Sequence, residues 1–524
     1  MNKSPAAPPE RFNFARHLID LNAERSGKVA LIDDQGTLTY GQLAEQVQRM
    51  AAALKALGLR REDRVLLLMH DCNEWVVSFL GALHAGVVPV CVNTLLTAQD
   101  YGYMLTNSRA QAALVSGALL PVLQAAMGHQ AHELQHTLVS QANGPLPHGT
   151  IEMAPYLAMQ TADTAPADTH GDEPAFWLYS SGSTGAPKGT VHTQASLYWT
   201  AELYGKGVLD LRENDTVFSA AKLFFAYGLG NALSFPLSVG ATVILMAERP
   251  TPPAVFKRLI GQRPTVFYGA PTGYGGMLAS PDLPLREQVA LRLCSSAGEA
   301  LPRDIGERWT AQFGCEIIDG IGSTEMLHVF LSNRPGEVRY GTTGQAVPGY
   351  DVQLRDEDGS VITGPNRIGD LYIAGPSAAL LYWNNRAKSL DTFQGIWTKS
   401  GDKYTRDPDG YYTYAGRNDD MLKVSGIYVS PFEVESTLMQ HPAVLEVAVI
   451  GKLDKEGLTK SKAYVVLKAG QKATEGELQT FVKEKLAPYK YPRFIEFVAE
   501  LPKTATGKIQ RFKLRERDNQ ASPR

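Results

Sequence analysis

The sequence of 524 residues is poor in cysteine, and its charges nearly cancel. Its four cysteines form no C-x-x-C pair and have no histidine cluster near them, which argues against a zinc site or a disulfide framework. We therefore expect buried free thiols in a reducing compartment. Lys and Arg number 51 and Asp and Glu number 54, so the net charge of −3 gives no support to nucleic-acid binding as the main task.

The sequence also lacks long apolar runs. None reaches the roughly 18 residues that a membrane span needs. The first residues, MNKSPAAPPERF, contain no apolar stretch of the kind found in a secretory signal. We therefore expect a cytoplasmic protein that does not bind membranes. Hydrophobic residues make up 44% and charged residues 20%, as in ordinary globular enzymes, and the length predicts two or more folding units.

What the sequence does contain is an alternation of helical and strand-like segments. Apolar residues from Leu43 to Leu57 recur at helical spacing, and Gly58 is placed to end that helix. Residues 141–174 are rich in Gly, Pro, Thr and Asp and are predicted to be a surface connection. Strand-length apolar runs predict parallel sheets covered by helices; they lie at 64–69, 87–92, 112–115, 176–179, 242–246, 265–268, 291–294 and 369–373.

The last hundred residues follow a different pattern. Strand-like runs at 444–450, 462–467 and 494–497, with a helical pattern at 475–486, predict a small α+β unit. The predicted fold class is therefore α/β. We expect a large N-terminal domain of several subdomains with parallel-rich sheets at residues 1–418 and a small mobile α+β domain at 419–524.

The strongest local feature is YSSGSTGAPKGT, at 179–190. An apolar strand leads into a Ser- and Gly-rich loop that ends in Lys188. Glycines let backbone N–H groups converge on an anion, hydroxyl groups add donors, and the lysine adds charge, which together suit a polyphosphate. The loop is not a Walker A motif, because Lys188 is not preceded by Gly. The alternative for such a loop is a flexible surface turn.

This loop resembles the phosphate loop of the adenylate-forming superfamily, which includes acyl- and aryl-CoA ligases, peptide-synthetase adenylation domains and luciferases. Further motifs follow in the order of that family and extend the resemblance over essentially the whole chain. They are Ile321–Glu325 (IGSTE), Trp397–Asp402 (WTKSGD), Gly416–Asp420 (GRNDD) followed by Lys423–Gly426 (KVSG), and Pro502–Lys508 (PKTATGK). Ile321 stands where the family has an aromatic residue, so we expect adenine to lie against an aliphatic wall.

The resemblance implies ATP and Mg²⁺ as cofactors and assigns a role to each motif. Asp402 is expected to accept from the ribose hydroxyls, and Arg417 to reach the ribose or a phosphate. Glu325 is the expected Mg²⁺ ligand, because this hard cation prefers oxygen ligands. The complete set of expected ATP-binding residues is Ser181, Gly182, Ser183, Thr184, Gly185, Lys188, Ala297, Gly298, Glu299, Asp319, Gly320, Ile321, Gly322, Ser323, Thr324, Asp402 and Arg417.

The catalytic residues implied by the resemblance are Lys508, Glu325 and Thr184. Lys508 would bridge the substrate carboxylate and the α-phosphate, where one ammonium group offsets the repulsion between two anions. Asp419 matches the hinge about which the small domain would turn between two half-reactions, although a turn or N-cap aspartate is the alternative. A lysine acetyltransferase that acts on Lys508 would remove its charge.

The segment FFAYGLG, at 224–230, lies where the family lines its acyl pocket. Aromatic walls with small residues between them would form a flat slot for a benzene ring, although core packing is the alternative. This stretch of sequence is most similar to that of benzoate- and hydroxybenzoate-CoA ligases. His328 is expected either to border this pocket or to be structural. The expected substrate-binding residues are Phe225, Ala226, Tyr227, Gly228, Gly298, Ile321, Gly322, His328 and Lys508.

The resemblance implies three partners, namely a small aromatic carboxylic acid, ATP and coenzyme A. The pantetheine arm of coenzyme A would pass Lys423, Ser425 and Gly426. No carrier-protein motif is present in the sequence, which favours coenzyme A as acceptor. The alternatives are an enzyme that loads a separate carrier protein, a ligase for another aromatic acid such as hydroxybenzoate, a luciferase-like enzyme and a non-catalytic nucleotide sensor. The chain could also form a homodimer, a question that the sequence leaves open.

Overall fold

The computed structural model describes residues 5–182, 185–417, 420–424, 427–454, 459–486, 490–503 and 509–521. Its helices follow the apolar periodicity of the sequence, and many begin at a Ser, Thr or Asn cap. They span Phe14–Leu21, Tyr40–Ala56, Asn73–Ala85, Ala98–Ser108, Leu120–Met127, Met153–Ala158, Gln194–Thr200, Ala226–Leu229, Phe235–Val239, Pro252–Gly261, Pro271–Leu278, Arg303–Phe313, Arg386–Thr392, Pro431–Met439, Glu475–Lys483 and Arg511–Ala521.

The first sheet is mainly parallel and ends in an antiparallel hairpin that carries the predicted phosphate loop. Its parallel strands are buried, as expected for a sheet that helices cover. In spatial order the strands are Leu381–Tyr382, Gly185–Thr193, Pro174–Gly182, Val88–Cys91, Arg64–Leu68, Ala112–Ser116, His136–Ser140 and Thr150–Glu152.

The second sheet is also mainly parallel. Two of its neighbouring strands, Leu293–Ser296 and Ile317–Gly322, run directly into the predicted nucleotide residues, so their carboxyl ends bring these residues to one edge. In spatial order the strands are Gln345–Ala346, Val329–Ser332, Ile317–Gly322, Leu293–Ser296, Val266–Gly269, Thr216–Ser219, Thr242–Ile244, Val29–Ile32 and Thr37–Thr39.

An antiparallel third sheet follows along the chain and ends at Arg417. Its strands are Asp351–Arg355, Gly369–Ala374, Trp397–Arg406, Phe393–Gln394 and Tyr412–Arg417. After it come a short hairpin, Leu422–Val424 with Ile427–Val429, and a mixed sheet of Val444–Leu453, Thr459–Leu467 and Phe494–Phe497. The mixed sheet has a separate apolar core with the helices Pro431–Met439 and Glu475–Lys483.

These observations confirm the predicted fold class, an α/β protein with a large N-terminal part of parallel-rich sheets and a small C-terminal part. The helix predicted before Gly58 is present as Tyr40–Ala56, and Gly58 has φ +85°, a conformation that favours glycine. All four cysteines are buried free thiols, as expected. Within the described ranges, each helix is too short or too polar to cross a membrane.

The prediction for residues 141–174 was wrong in part. A strand at Thr150–Glu152 extends the first sheet, and the helix Met153–Ala158 follows it at once. Met153 and Leu157 of this helix are buried in the main core, so the segment covers apolar surface. Both elements are too short to produce a periodic pattern against the surrounding polar residues.

Candidate functional site

The predicted phosphate loop joins two antiparallel strands, in which Ser180 pairs with Lys188. The Lys188 ammonium lies 4.5 Å from the centre of the Tyr382 ring. Burial lowers the pKa of Lys188, while the nearby Glu325 carboxylate raises it. Ser183 and Thr184 lie outside the described residues, and for Ser181, Gly182 and Gly185 only the strand backbone is described.

The turn that carries Glu325 is held by its neighbours at several points. The Tyr382 hydroxyl donates to Glu325 Oε1 at 2.6 Å, and the Ala379 N–H donates to the Glu325 carbonyl at 2.7 Å. His192 Nε2 lies 2.7 Å from the Thr324 carbonyl oxygen, and burial lowers the pKa of His192 to about 4. A neutral His192 therefore donates from Nε2, which ties the phosphate-loop strand to this turn.

The predicted adenine residues meet through strand register. Ser296 pairs with Asp319 across the parallel strands, so the segments that follow, Ala297–Glu299 and Gly320–Thr324, begin side by side. Gly298 has φ +96°, which lets the chain turn sharply there. Asp319 is buried, and burial raises its pKa well above the ordinary range. A small cavity beside Asp319 is also lined by Tyr414 and by Phe432 of the C-terminal part.

Asp402 and Arg417 are opposite each other on antiparallel strands. Arg417 Nη1 donates to Asp402 Oδ1 at 3.2 Å, with Asp402 buried and the Arg417 side chain 46% exposed. Gly401, with φ +79°, leaves room there, since a Cβ atom would lie 3.2 Å from Arg417 Nη2. The two residues predicted to contact the ribose therefore form one polar pair.

The segment predicted to line the acyl pocket forms a short helix, Ala226–Leu229, and the π-helix Gly230–Ser234. The Tyr227 hydroxyl lies 3.1 Å from Ser295 Oγ, and His328 Nε2 lies 3.2 Å from the Tyr227 carbonyl oxygen. The His328 ring is 5.4 Å from Tyr227 and 4.4 Å from Phe235, centre to centre. Burial lowers the pKa of His328 to about 3, so the ring is neutral and donates from Nε2.

Ile321 and Tyr227 also pack against one apolar cluster that contains Phe235. His328 thus lies beside Tyr227 in the segment 224–230, as one of the two predictions for this histidine required. Nothing in the sequence singled out Ser295, a small residue near the end of a buried strand. Nothing in the sequence around Tyr382 indicated a role in the site either.

The predicted coenzyme A and hinge residues are only partly described. Lys423 lies in the strand Leu422–Val424, and only its backbone is described; Ser425, Gly426, Asp419 and Lys508 lie outside the described residues. Asp420, directly after the expected hinge, accepts from Arg515 Nη1 at 2.6 Å. Arg511 pairs with Glu435 at 2.7 Å and lies 3.8 Å from Asp420. The helix Arg511–Ala521 therefore fixes the chain at the far side of the expected hinge.

Comparison with family models gives two matches in chain order. Residues 20–383 match the AMP-binding enzyme model, and residues 433–508 match the AMP-binding enzyme C-terminal domain. The chain belongs to the AMP-binding enzyme family. The expected membership of the adenylate-forming superfamily is thereby confirmed. Asp402 and Arg417 lie between the two matched parts.

Relatives within this family include ligases for aromatic acids. The chain is 57% identical over 521 residues to benzoate–CoA ligase of Thauera aromatica, covering 98% of each chain. It is 46% identical to 4-hydroxybenzoate–CoA/benzoate–CoA ligase of Rhodopseudomonas palustris, over 97% of this chain and 95% of the other.

Solved structures agree with these relatives. A benzoate CoA ligase from Burkholderia xenovorans LB400 superposes with a TM-score of 0.90 at 59% identity, covering 96% of this chain and all of that chain. The anthranilate CoA ligase AuaEII in complex with anthranoyl-AMP gives 0.93 at 43% identity, covering 98% of each chain.

Proposed function

We propose that this chain is a benzoate–CoA ligase. In the first half-reaction, a benzoate oxygen attacks the α-phosphorus of ATP and releases pyrophosphate, which leaves benzoyl-AMP. In the second, the thiolate of coenzyme A attacks the benzoyl carbon and AMP leaves. The observation that carries the proposal is the 57% identity, over nearly the whole chain, to a benzoate–CoA ligase. The cluster of aromatic rings around Tyr227 and His328, at the segment predicted to bind the acid, supports it.

The segment around Tyr227 suits a benzene ring because aromatic side chains and a neutral imidazole lie together there. The His328 ring is within contact distance of both the Tyr227 ring and the Phe235 ring. A neutral His328 adds no cation that would bind the carboxylate deep in the slot and hold it away from ATP. Gly228 and Gly230 let the backbone approach Lys222 and His328 closely, so their lack of side chains shapes this wall.

Catalysis of the first half-reaction would be mainly electrostatic, because an anion approaches a polyphosphate. Lys508 and Lys188 would offset the negative charge, with Thr184 donating from the loop. Asp402 and Arg417 would hold the ribose, and the segments after Ser296 and Asp319 would hold adenine against Ile321, with backbone N–H and C=O groups as hydrogen-bond partners.

Glu325 would hold Mg²⁺ together with phosphate oxygens of ATP. Within the described ranges, His, Cys, Asp and Glu form no group of three or more that could bind a metal ion on its own. This fits Mg²⁺, which is usually bound through one or two carboxylates and substrate phosphates. The half-buried Glu325 carboxylate, fixed through Oε1 and close to Lys188, provides such a ligand. The ion would supply charge neutralisation at the phosphates.

We further propose that the chain divides at the hinge Asp419 into residues 1–418 and 419–524, and that the second part turns between half-reactions. Lys423, Ser425 and Gly426 would then line the path of the pantetheine arm. The anchoring of Asp420 by Arg515 supports a pivot just before it, because motion would concentrate at Asp419. The buried free thiols support the cytoplasm as the location.

The test is a pyrophosphate-release screen with benzoate, hydroxybenzoates, phenylacetate, cinnamate and octanoate, with and without coenzyme A. Benzoate is expected to give the highest kcat/KM, with benzoyl-CoA as product. The second candidate function is a 4-hydroxybenzoate–CoA ligase, and the 4-hydroxybenzoate–CoA/benzoate–CoA ligase of Rhodopseudomonas palustris favours it. Highest efficiency with 4-hydroxybenzoate would support this second candidate. Turnover with a carrier protein but not with coenzyme A would contradict both.

A further inference from the structure

Tyr382 lies between two charged residues that the proposed function requires. Its hydroxyl donates to Glu325 Oε1 at 2.6 Å, and its ring lies 4.5 Å from the Lys188 ammonium. Tyr382 is 3% exposed, whereas Glu325 and Lys188 are half-buried, so the tyrosine side of both contacts is shielded from water. One side chain therefore contacts the expected metal ligand and the expected phosphate-binding lysine.

The position of Tyr382 follows from strand register. Leu381–Tyr382 is antiparallel to the phosphate-loop strand, and Tyr382 is directly opposite Thr190. Lys188 is two residues before Thr190 and points to the same face of that strand. Tyr382 and Lys188 are thus diagonal cross-strand neighbours, which brings an aromatic ring within reach of a long side chain.

The backbone around Glu325 is held without the Tyr382 hydroxyl. The Ala379 N–H donates to the Glu325 carbonyl at 2.7 Å, and Ser377 Oγ donates to the Met326 carbonyl at 2.7 Å. His192 holds Thr324 from the other side. Removal of the hydroxyl should therefore change the orientation of the carboxylate and leave the path of the chain unchanged.

The hydroxyl and the ring have different effects. The phenol hydroxyl donates to Glu325 Oε1. It occupies one oxygen of Glu325 and leaves Oε2 for a cation. Without this bond, the carboxylate would be free to rotate toward the Lys188 ammonium, which lies against the same tyrosine ring. A direct ion pair between Glu325 and Lys188 would occupy the carboxylate that is needed for Mg²⁺ and the ammonium group that is needed for phosphate.

We propose that Tyr382 is a positioning residue that holds the Glu325 carboxylate apart from Lys188, so that Glu325 binds Mg²⁺ and Lys188 binds phosphate. The inference rests on the proposed role of Glu325. It assigns Tyr382 to the first half-reaction only, because the attack of coenzyme A on benzoyl-AMP requires neither ATP nor its metal ion.

The test compares Tyr382→Phe with Tyr40→Phe. The control removes a similarly buried hydroxyl, which donates to the Ala241 carbonyl at 2.6 Å away from the site. For Tyr382→Phe, we expect the Mg²⁺ concentration for half-maximal benzoyl-AMP formation to rise about tenfold, the scale of one hydrogen bond to a charged group. The KM for ATP should rise, while the KM for benzoate and the rate of benzoyl-CoA formation from supplied benzoyl-AMP stay within about twofold. The control should retain all these values.

A binding measurement separates positioning from general loss of activity. Mn²⁺ titration with a non-hydrolysable ATP analogue, followed by electron paramagnetic resonance, should give about tenfold weaker Mn²⁺ binding for Tyr382→Phe. In a double-mutant cycle with Glu325→Gln, the effect of Tyr382→Phe should disappear. Tyr382→Leu removes both contacts and should weaken Mn²⁺ binding further.

The inference is overturned if Mn²⁺ affinity is unchanged, if both half-reactions fall together, or if the effects of Tyr382→Phe and Glu325→Gln add. The single variant Glu325→Gln identifies which proposal has failed. If it binds Mn²⁺ like the wild type, the proposed metal role of Glu325 is wrong. If only Glu325→Gln is impaired, Glu325 keeps its role and Tyr382 has none.

Discussion

Gly230 offers a direct test of whether His328 forms part of the benzoate pocket. A Cβ atom at this position would lie 2.6 Å from His328 Nε2 and 2.8 Å from Phe235 Cζ. The nearest imidazole atom, His328 Cδ2, would lie at 2.4 Å, and ordinary contacts begin at 3.4 Å, so Gly230→Ala requires the imidazole ring to move by about 1.0 Å. That movement would lengthen the hydrogen bond between His328 and the Tyr227 carbonyl, which is already 3.2 Å long.

The magnitude follows from the cost of overpacking. One extra methyl group in a well-packed core costs about 1–3 kcal/mol. If the displaced ring narrows the slot, this cost appears in the binding of the benzoate transition state as a loss of about 5- to 150-fold in kcat/KM. The KM for ATP should change by less than about twofold, because the nucleotide edge is not touched.

The assay is pyrophosphate release with varied benzoate, and the control is Gly261→Ala. Gly261 is the exposed last residue of the helix Pro252–Gly261, and a Cβ atom there would meet nothing within 4 Å. The control should retain wild-type kinetics and lose no stability. If Gly230→Ala keeps its kcat/KM for benzoate within twofold while remaining folded, His328 does not shape the pocket, and the histidine is structural.

Three further predictions concern other parts of the chain. Lys508→Ala should lower benzoyl-AMP formation by several powers of ten and leave benzoyl-CoA formation from supplied benzoyl-AMP nearly unchanged; equal loss in both steps would make Lys508 a structural charge. Asp419→Pro should retain ATP–pyrophosphate exchange but lose thioester formation, whereas wild-type rates in both would leave Asp419 a turn residue. Burial raises the pKa of Asp71 from 3.8 to about 6 in the folded chain. The folded chain therefore holds the proton of Asp71 more tightly than the unfolded chain does, and the free energy of unfolding should fall as the pH rises from about 4 to about 6. Asp71→Asn should remove that fall in urea unfolding measured across this range, and an unchanged pH dependence would contradict it.

The local parts of the fold could be predicted from sequence. Buried parallel strands such as Ala112–Ser116 are continuous apolar runs, and the helix Tyr40–Ala56 has both a periodic face and a stop at Gly58. The phosphate loop was recognisable because its chemistry lies within twelve consecutive residues. The π-helix Gly230–Ser234 was not predictable, because its sequence carries no signal that separates it from an α-helix.

The contacts of the candidate site depend on tertiary register. Tyr382 reaches Glu325 across 57 positions of the chain, and it does so only because a two-residue strand pairs with the phosphate-loop strand. Ser295 reaches Tyr227 across 68 positions through the edge of the second sheet. Neither residue stands out locally, since a tyrosine after two leucines and a serine in a buried strand are ordinary core residues.

The proposed reaction requires that benzoate be activated as an acyl-adenylate before coenzyme A attacks. The most direct test supplies benzoate labelled with oxygen-18 in its carboxylate, together with ATP and coenzyme A, and measures the label in the products by mass spectrometry. One labelled oxygen is expected in AMP, because the bridging oxygen of benzoyl-AMP comes from benzoate and leaves with the nucleotide. Unlabelled AMP, or label in inorganic phosphate with ADP as co-product, would contradict the claim.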